Sequence, residues 1–298
     1  MLLVWASSIR RYDPHRSCIV LTTTDVPSHI EKRLLAAGLV VLHQEALEPP
    51  YRVTSRVDLH QIFFKLRAFG LSGYDKIVIT DSDLIAVHGN ITHLFDVPLR
   101  EGQMAAVCIY PCEGCPRVDG LALINAGVMV VRPSASLFGN MMAHWTTFNN
   151  DARLPDRQEQ GWLTLYLNHT GGLVKLPITF NVDATLHRMA PVDQQREIAR
   201  LAALGGTPVI VHWPSRPLKR LKPWDCRCSV EPCDARGKKS AAACPHNDSH
   251  IQTWWTLAHS VLTTDGIAAL ERPYIRADVH RRHQRVQARD TKSGQRAA

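Results

Sequence analysis

Over the first two-thirds of the 298 residues, short β-branched runs alternate with stretches whose apolar residues recur at helical spacing, and this constrains the fold more than any other feature. Such alternation belongs to α/β sheets with crossover helices. Cys18-Ile-Val-Leu-Thr22 reads as a strand, Ser28 to Gly38 as a helix built on Ile30, Leu34 and Leu35, and Leu39-Val-Val-Leu42 as a second strand. Asp58 to Phe69 carries apolar residues at 59, 62, 63, 66 and 69, which predicts a one-faced helix closed by Gly70 and Gly73 before the strand Lys76-Ile-Val-Ile-Thr80. A long loop rich in Cys, Pro and Gly follows. Then come the strand Gly127-Val-Met-Val-Val131, helices over about 135–148 and 156–167, and the strand Val209-Ile-Val-His212.

Apolar residues make up 45% of the chain and charged ones 21%, which suits a packed core and excludes a disordered polymer. No apolar run approaches the roughly 20 residues that span a bilayer. Met1-Leu-Leu-Val-Trp-Ala6 lacks a basic n-region and runs straight into Ser7, Ser8, Arg10 and Arg11, so it reads as a helix and not a signal peptide. From Glu271 to Ala298 there are eight Arg or Lys against three Asp or Glu, so this terminal segment carries +5 of the formal +8. Basic charge concentrated on a tail argues against a nucleic-acid groove, which needs it on a folded face.

Eight cysteines fall into Cys108, Cys112 and Cys115, then Cys226, Cys228, Cys233 and Cys244, with Cys18 apart. The second group lies in a Gly/Lys/Ala/Ser stretch ahead of His246 and His250, and reads as a loop insertion whose thiols are bridged, free or bound to zinc. Zinc there, together with the basic tail, would make a nucleic-acid binder, the weakest of the readings. Three N-x-S/T sequons, at Asn90, Asn168 and Asn247, lean toward a lumenal compartment.

The chemistry gathers at Asp81-Ser82-Asp83. The pair directly follows a buried strand, where an open α/β sheet ends in a crevice. In extended backbone, residues i and i+2 point the same way, so both carboxylates can converge on one cation, and oxygen ligands suit Mn²⁺ or Mg²⁺. A strand end with two polar residues is the plainer alternative.

The surrounding text decides between them. Lys65-Leu-Arg-Ala-Phe69, Tyr74 to Asp83 and Asn90-Ile-Thr-His-Leu-Phe95 resemble the heart of glycosyltransferase family 8, the glycogenin-like family. Asn125-Ala-Gly-Val-Met-Val-Val-Arg-Pro-Ser134 is similar to its "NAGV…PS" segment, Glu159-Gln-Gly161 to its "DQG", and Leu176-Pro177 and Phe180-Asn181 follow in order. Val211-His-Trp213 and Lys222-Pro-Trp224 resemble its closing "H…KPW".

The resemblance implies an α/β protein of the GT-A type, a Rossmann-like mixed sheet flanked by helices, over residues 1–224. A Cys-rich insertion at 225–250 and a helical basic tail at 251–298 would follow. It implies a retaining transferase that uses a UDP-sugar with Mn²⁺, or Mg²⁺ in its place. By resemblance Asp81, Asp83 and His212 are the metal ligands, with Ser82 between the acids. Lys65 and Lys222 reach the donor and its diphosphate, while Asn125, Gly127 and Gln160 contact the sugar. Asp156 and Glu159 line the sugar pocket, although Asp-x-x-Glu ahead of a helix is also a capping box, and Asn and Gly also favour turns.

Expected partners are the nucleotide-sugar donor, a carbohydrate, lipid or protein acceptor, and a second copy of the chain as a homodimer; nucleic acid and a membrane span are not expected. The Golgi lumen and the cytoplasm are the candidate compartments. Two departures stand out. Family members begin with a strand that grips the nucleotide base, and none is expected ahead of Met1, for which a truncated gene model is the simpler explanation. Nine residues separate His212 from Lys222, more than the family pattern has. The first departure gives the competing reading, an inactive carbohydrate-binding or scaffolding relative without the base subsite.

Overall fold

The computed structural model describes residues 1–51, 57–108, 117–118, 121–148, 158–184, 195, 198–199, 201–203, 205–213, 223 and 249–261. Helix α1 (Leu2–Arg10) leads into β1 (Ile19–Thr22), α2 (Ser28–Ala36) and β2 (Val40–His43), in the expected order. Strands β1 and β2 pair in parallel, Ile19 beside Val40, as a helical crossover requires.

Residues Val57–Gly70 form a 3₁₀ helix where the one-faced helix was expected over 58–69. With three residues per turn, Phe63, Leu66 and Phe69 stack on one inner line, each at most 2% exposed, while Ile62 is only partly buried. Strands β3 (Ile77–Thr80) and β4 (Leu84–Ala86) follow, with the Asp81–Asp83 segment between them. The expected loop that comes next holds β5 (Met104–Cys108) and the short pair β6 (Arg117–Val118) and β7 (Leu121–Ala122). Next is β8 (Ile124–Val131), three residues longer at its start than the pattern suggested.

Helix α3 (Ala135–Ala143) opens where Ser134 Oγ accepts a hydrogen bond from the Leu137 amide at 3.0 Å, and it stops short of the expected Phe148. Helix α4 (Glu159–Thr170) ends on Gly171, whose φ of 67° is the left-handed conformation that glycine adopts without strain. Strands β9 (Leu173–Leu176), β10 (Val182–Asp183) and β11 (Ile210–His212) follow, then helix α5 (Ser249–Val261).

The sheet order is β3-β8-β5-β9, with β8 antiparallel to β3 and β5, and β9 parallel to β5. A second sheet runs β10-β11-β4. Along β5 and β8 alternate residues enter opposite core clusters. Met104, Ala106, Met129 and Val131 pack with Phe63, Met141 and Trp162; Ala105, Val107, Val128 and Val130 pack with Trp5, Leu34 and Leu94. Both faces are therefore covered, which is why these strands are apolar runs without polar alternation. This mixed α/β arrangement is the expected fold class.

On the outer side of the second sheet, α5 seats Trp254 and Trp255 against Val4, Ile85, Val211 and Trp213. The start of the presumed tail is thus a packed element. Cys18 is a buried thiol. Cys112, Cys115, the four cysteines of 225–250 and the basic segment beyond Val261 lie outside the described residues. Among those described, no helix is long and apolar enough to cross a membrane.

Candidate active site

Two strand ladders each run one rung past their strands, and between them they fix the acidic pair. Thr80 pairs with Val128 on β8, and the Asp81 amide then donates to the Gly127 carbonyl at 2.9 Å. On the other side Leu84 pairs with His212 on β11, and the Trp213 amide donates to the Asp83 carbonyl at 3.0 Å. Asp81 is thereby tied to one sheet and Asp83 to the other, with half-buried Ser82 in the bend.

His212 is 3% exposed, and its Nε2 lies 3.2 Å from Asp83 Oδ1 and 3.7 Å from Asp81 Oδ2. One donor atom from each of the three residues falls within 4.8 Å of the other two. His212 Nδ1 is 2.9 Å from Asn181 Oδ1, whereas the buried Nε2 has no aligned hydrogen-bond partner. Two carboxylates and an imidazole nitrogen without a proton acceptor or donor of its own fit a divalent cation of the Mn²⁺ or Mg²⁺ kind.

Behind the acids, Lys65 Nζ donates to Asp81 Oδ1 at 2.5 Å and to the Ala126 carbonyl at 3.4 Å, and stands 3.0 Å from Glu159 Oε1. Burial works to lower the ammonium's pKa, but Asp81 and Glu159 outweigh it and hold the group above its ordinary value. Burial raises the Glu159 carboxyl, and the Lys65 ammonium pulls it part of the way back. The opposite balances share one cause. A single cation gains from two anions, while Glu159 has Asp81 as a like-charged neighbour.

Glu159 is the first residue of α4, with Gln158 at the cap, so the capping-box alternative does not hold for it. Its Oε2 is buried with no hydrogen-bond partner. Asn125 and Gly127 lie inside β8 and not in a turn. The β5–β8 register slips between Ala106 and Val107, so that Val107 faces Asn125 and β8 bulges over 126–128. Within the bulge Asn125 Oδ1 accepts from the Gly127 amide at 2.8 Å, and Gln160 Oε1 accepts from the Ala126 amide at 3.4 Å.

A side chain at 127 has no room: its Cβ would fall 2.4 Å from His212 Cε1 and 2.7 Å from Nδ1. The glycine is required by the imidazole beside it, a reason the sequence did not supply. Asn181 was also missed as a site residue, although it stood in the quoted Phe180-Asn181 motif. Asp156 and Lys222 lie outside the described residues.

The fold is of the class found in the GT-A glycosyltransferases. Over 88% of this chain and 92% of theirs, the structure matches the galactosyltransferase LgtC in complex with donor and acceptor sugar analogues, with a TM-score of 0.59 and 18% identity. Over 93% of this chain and 60% of theirs it matches the glycosyltransferase GlyE of Streptococcus pneumoniae TIGR4, with a TM-score of 0.53 and 19% identity. At such identities the likeness speaks for the fold alone.

The sequence carries the family. Residues 1–228 match the profile of glycosyl transferase family 8, and the chain belongs to that family. It is 29% identical to the Arabidopsis thaliana putative glucuronosyltransferase PGSIP7 over 57% of this chain and 34% of the relative. Galactinol synthase 6 of the same plant is 27% identical over 46% and 48% of the respective chains, and the glycogenin of Komagataella phaffii 25% identical over 47% and 34%. The matches thus span between a third and a half of these relatives' lengths.

Proposed function

We propose that the chain is a metal-dependent retaining glycosyltransferase that moves a hexosyl or related unit from a UDP-sugar to a carbohydrate, lipid or protein acceptor, with residues 1–224 as the transferase unit. The observation that carries this reading is the meeting on one point of Asp81 and Asp83 with His212, 129 positions beyond Asp83. The three would hold Mn²⁺, or Mg²⁺ in its place. When bound, such a cation neutralises charge on the diphosphate leaving group.

The chain's own groups do the rest. Asp81 has its Oδ1 held by Lys65, which leaves Oδ2 turned toward His212. Lys65 places a fixed positive charge behind the acids, of the preorganised kind that stabilises departing anions. Glu159 offers a buried carboxyl to the sugar pocket, with Gln160 and the bulge at Asn125 and Gly127 as its walls. Asp156 and Lys222 are assigned to the pocket and the diphosphate by their motifs. The relatives' names include glucuronosyltransferase, galactinol synthase and glycogenin, which supports a sugar nucleotide as donor and leaves the sugar and the acceptor to be determined.

Calorimetric titration with UDP, in the presence and absence of Mn²⁺, tests the proposal. Binding that requires Mn²⁺ and disappears in Asp83→Asn, with an unchanged circular dichroism spectrum, supports it. Metal-independent UDP binding, or none at all, rejects it in favour of a carbohydrate-binding relative. A panel of UDP-sugars monitored for UDP release then identifies the donor.

A further inference from the structure

We propose that Asn181 is a positioning residue for the metal centre, fixing His212 as the tautomer that carries its proton on Nδ1 and turns the Nε2 lone pair toward the acidic pair. The inference rests on the metal reading given above. Strand β10 pairs in parallel with β11 so that Val182 lies beside Val211 and Asp183 beside His212. Asn181 precedes this pairing at the end of the 3₁₀ turn Ile178–Phe180, where its amide donates to the Ile178 carbonyl at 2.9 Å. The side chain is thereby delivered, 6% exposed, to the edge of the imidazole.

An amide oxygen has no proton, so the 2.9 Å contact between Asn181 Oδ1 and His212 Nδ1 is a hydrogen bond only when Nδ1 is the donor. A neutral ring then has its lone pair at Nε2, the atom facing Asp81 and Asp83. The reverse orientation of the amide would place a donor against Nδ1 and force the proton onto Nε2, where it would block a cation. The two orientations therefore make opposite predictions for the ring.

Gly127 closes the other side. With no Cβ, it lets the ring approach β8 closely, and any side chain would drive into Cε1 and Nδ1. The ring is thus held by a hydrogen bond at Nδ1 and by the close approach of the Gly127 backbone. Asn181 Nδ2 is buried without a hydrogen-bond partner, so Oδ1 makes the contact that orients the amide. Outer hydrogen bonds of this kind set the tautomer and orientation of ligating histidines, and their removal costs 10–100-fold in metal affinity, roughly, in other proteins.

The test reads the ring directly. Long-range ¹H–¹⁵N correlation spectra of the metal-free protein, assigned with His212→Gln, are expected to show His212 protonated at Nδ1. Asn181→Asp, which keeps an acceptor in place, is expected to preserve that signature and to hold Mn²⁺ affinity within about threefold by electron paramagnetic resonance. Asn181→Ala is expected to lose the signature and to weaken Mn²⁺ by about 10–100-fold. A wild-type ring protonated at Nε2 overturns the proposal without any variant having to fold. Mn²⁺ affinity unchanged in Asn181→Ala overturns this assignment and leaves the metal site standing; a wild type that binds no Mn²⁺ overturns both.

Discussion

Replacing Lys65 with methionine should destabilise the protein by an amount that grows with pH, and the size of the effect follows from the surroundings of Glu159. The glutamate side chain is 3% exposed, and the ammonium 3.0 Å away is the neighbouring cation that favours its charged form. Without that cation, folding must keep the carboxyl neutral. At pH 7 this costs about 1.4 kcal/mol for each of the roughly 2.7 pH units above an ordinary glutamate pKa, or about 3–4 kcal/mol. The figure is a ceiling, because burial already holds the carboxyl above its usual range in the intact site.

The sign is fixed by the direction of the shift. A carboxyl whose folded pKa is raised above its unfolded value adds stability below the unfolded pKa and loses it as pH rises toward the folded one. The gap between Lys65→Met and wild type should therefore reach at most about 3–4 kcal/mol at pH 7 and fall below about 1 kcal/mol near pH 4.5. Adding Glu159→Gln should recover most of the loss, since removing both ions is far less damaging than stranding one. Urea unfolding followed by tryptophan fluorescence at both pH values measures all three proteins. A gap under about 1 kcal/mol at pH 7 that is unchanged at pH 4.5 would refute the reasoning, because Glu159 would then not depend on Lys65 for its charge.

Trp254→Ala should destabilise the fold by about 3–5 kcal/mol, the usual cost of emptying a tryptophan site, because its side chain is 1% exposed against Val4, Ile85 and Val211. A loss below about 1 kcal/mol in thermal or urea unfolding would mean that α5 does not pack on the β4–β11 sheet. Burial pushes the Cys18 thiol up despite the opposing Arg10 guanidinium, so iodoacetamide at pH 8 should label it far more slowly in the native protein than in urea. Its contribution to stability, present below pH 9, should fade at higher pH, and equal labelling rates in the two states by mass spectrometry would contradict the burial.

Much of this protein was written locally. The β-branched runs around 18–22 and 76–80 and the apolar spacing of α2 and α4 announced an α/β sheet, because period and propensity are properties of neighbouring residues. The two acids at 81 and 83 offered a candidate cation site in the same way, two positions apart at the end of a buried strand, with a plain strand end as the alternative. Strand β5 was not legible. Met104-Ala-Ala-Val-Cys108 has little β preference of its own, and only burial between two helical layers makes small residues the right ones there. The 3₁₀ winding of Val57–Gly70 was hidden for a related reason: residues 63, 66 and 69 satisfy either helical period until packing selects one.

The family motif had named His212, but its meeting with the acids, and the supports around it, belonged to the tertiary structure. No local rule relates position 212 to 81 or ties 181 to either; the β4–β11 and β10–β11 registers do so, across gaps far longer than any helix or hairpin. The same holds for Gly127, whose missing side chain is explained by a ring 85 positions away. Sequence alone determined which segments could become strands and which groups could bind a cation, since those depend on covalent neighbours. Which groups meet was decided only when two sheets closed on the acidic pair and left it half-buried.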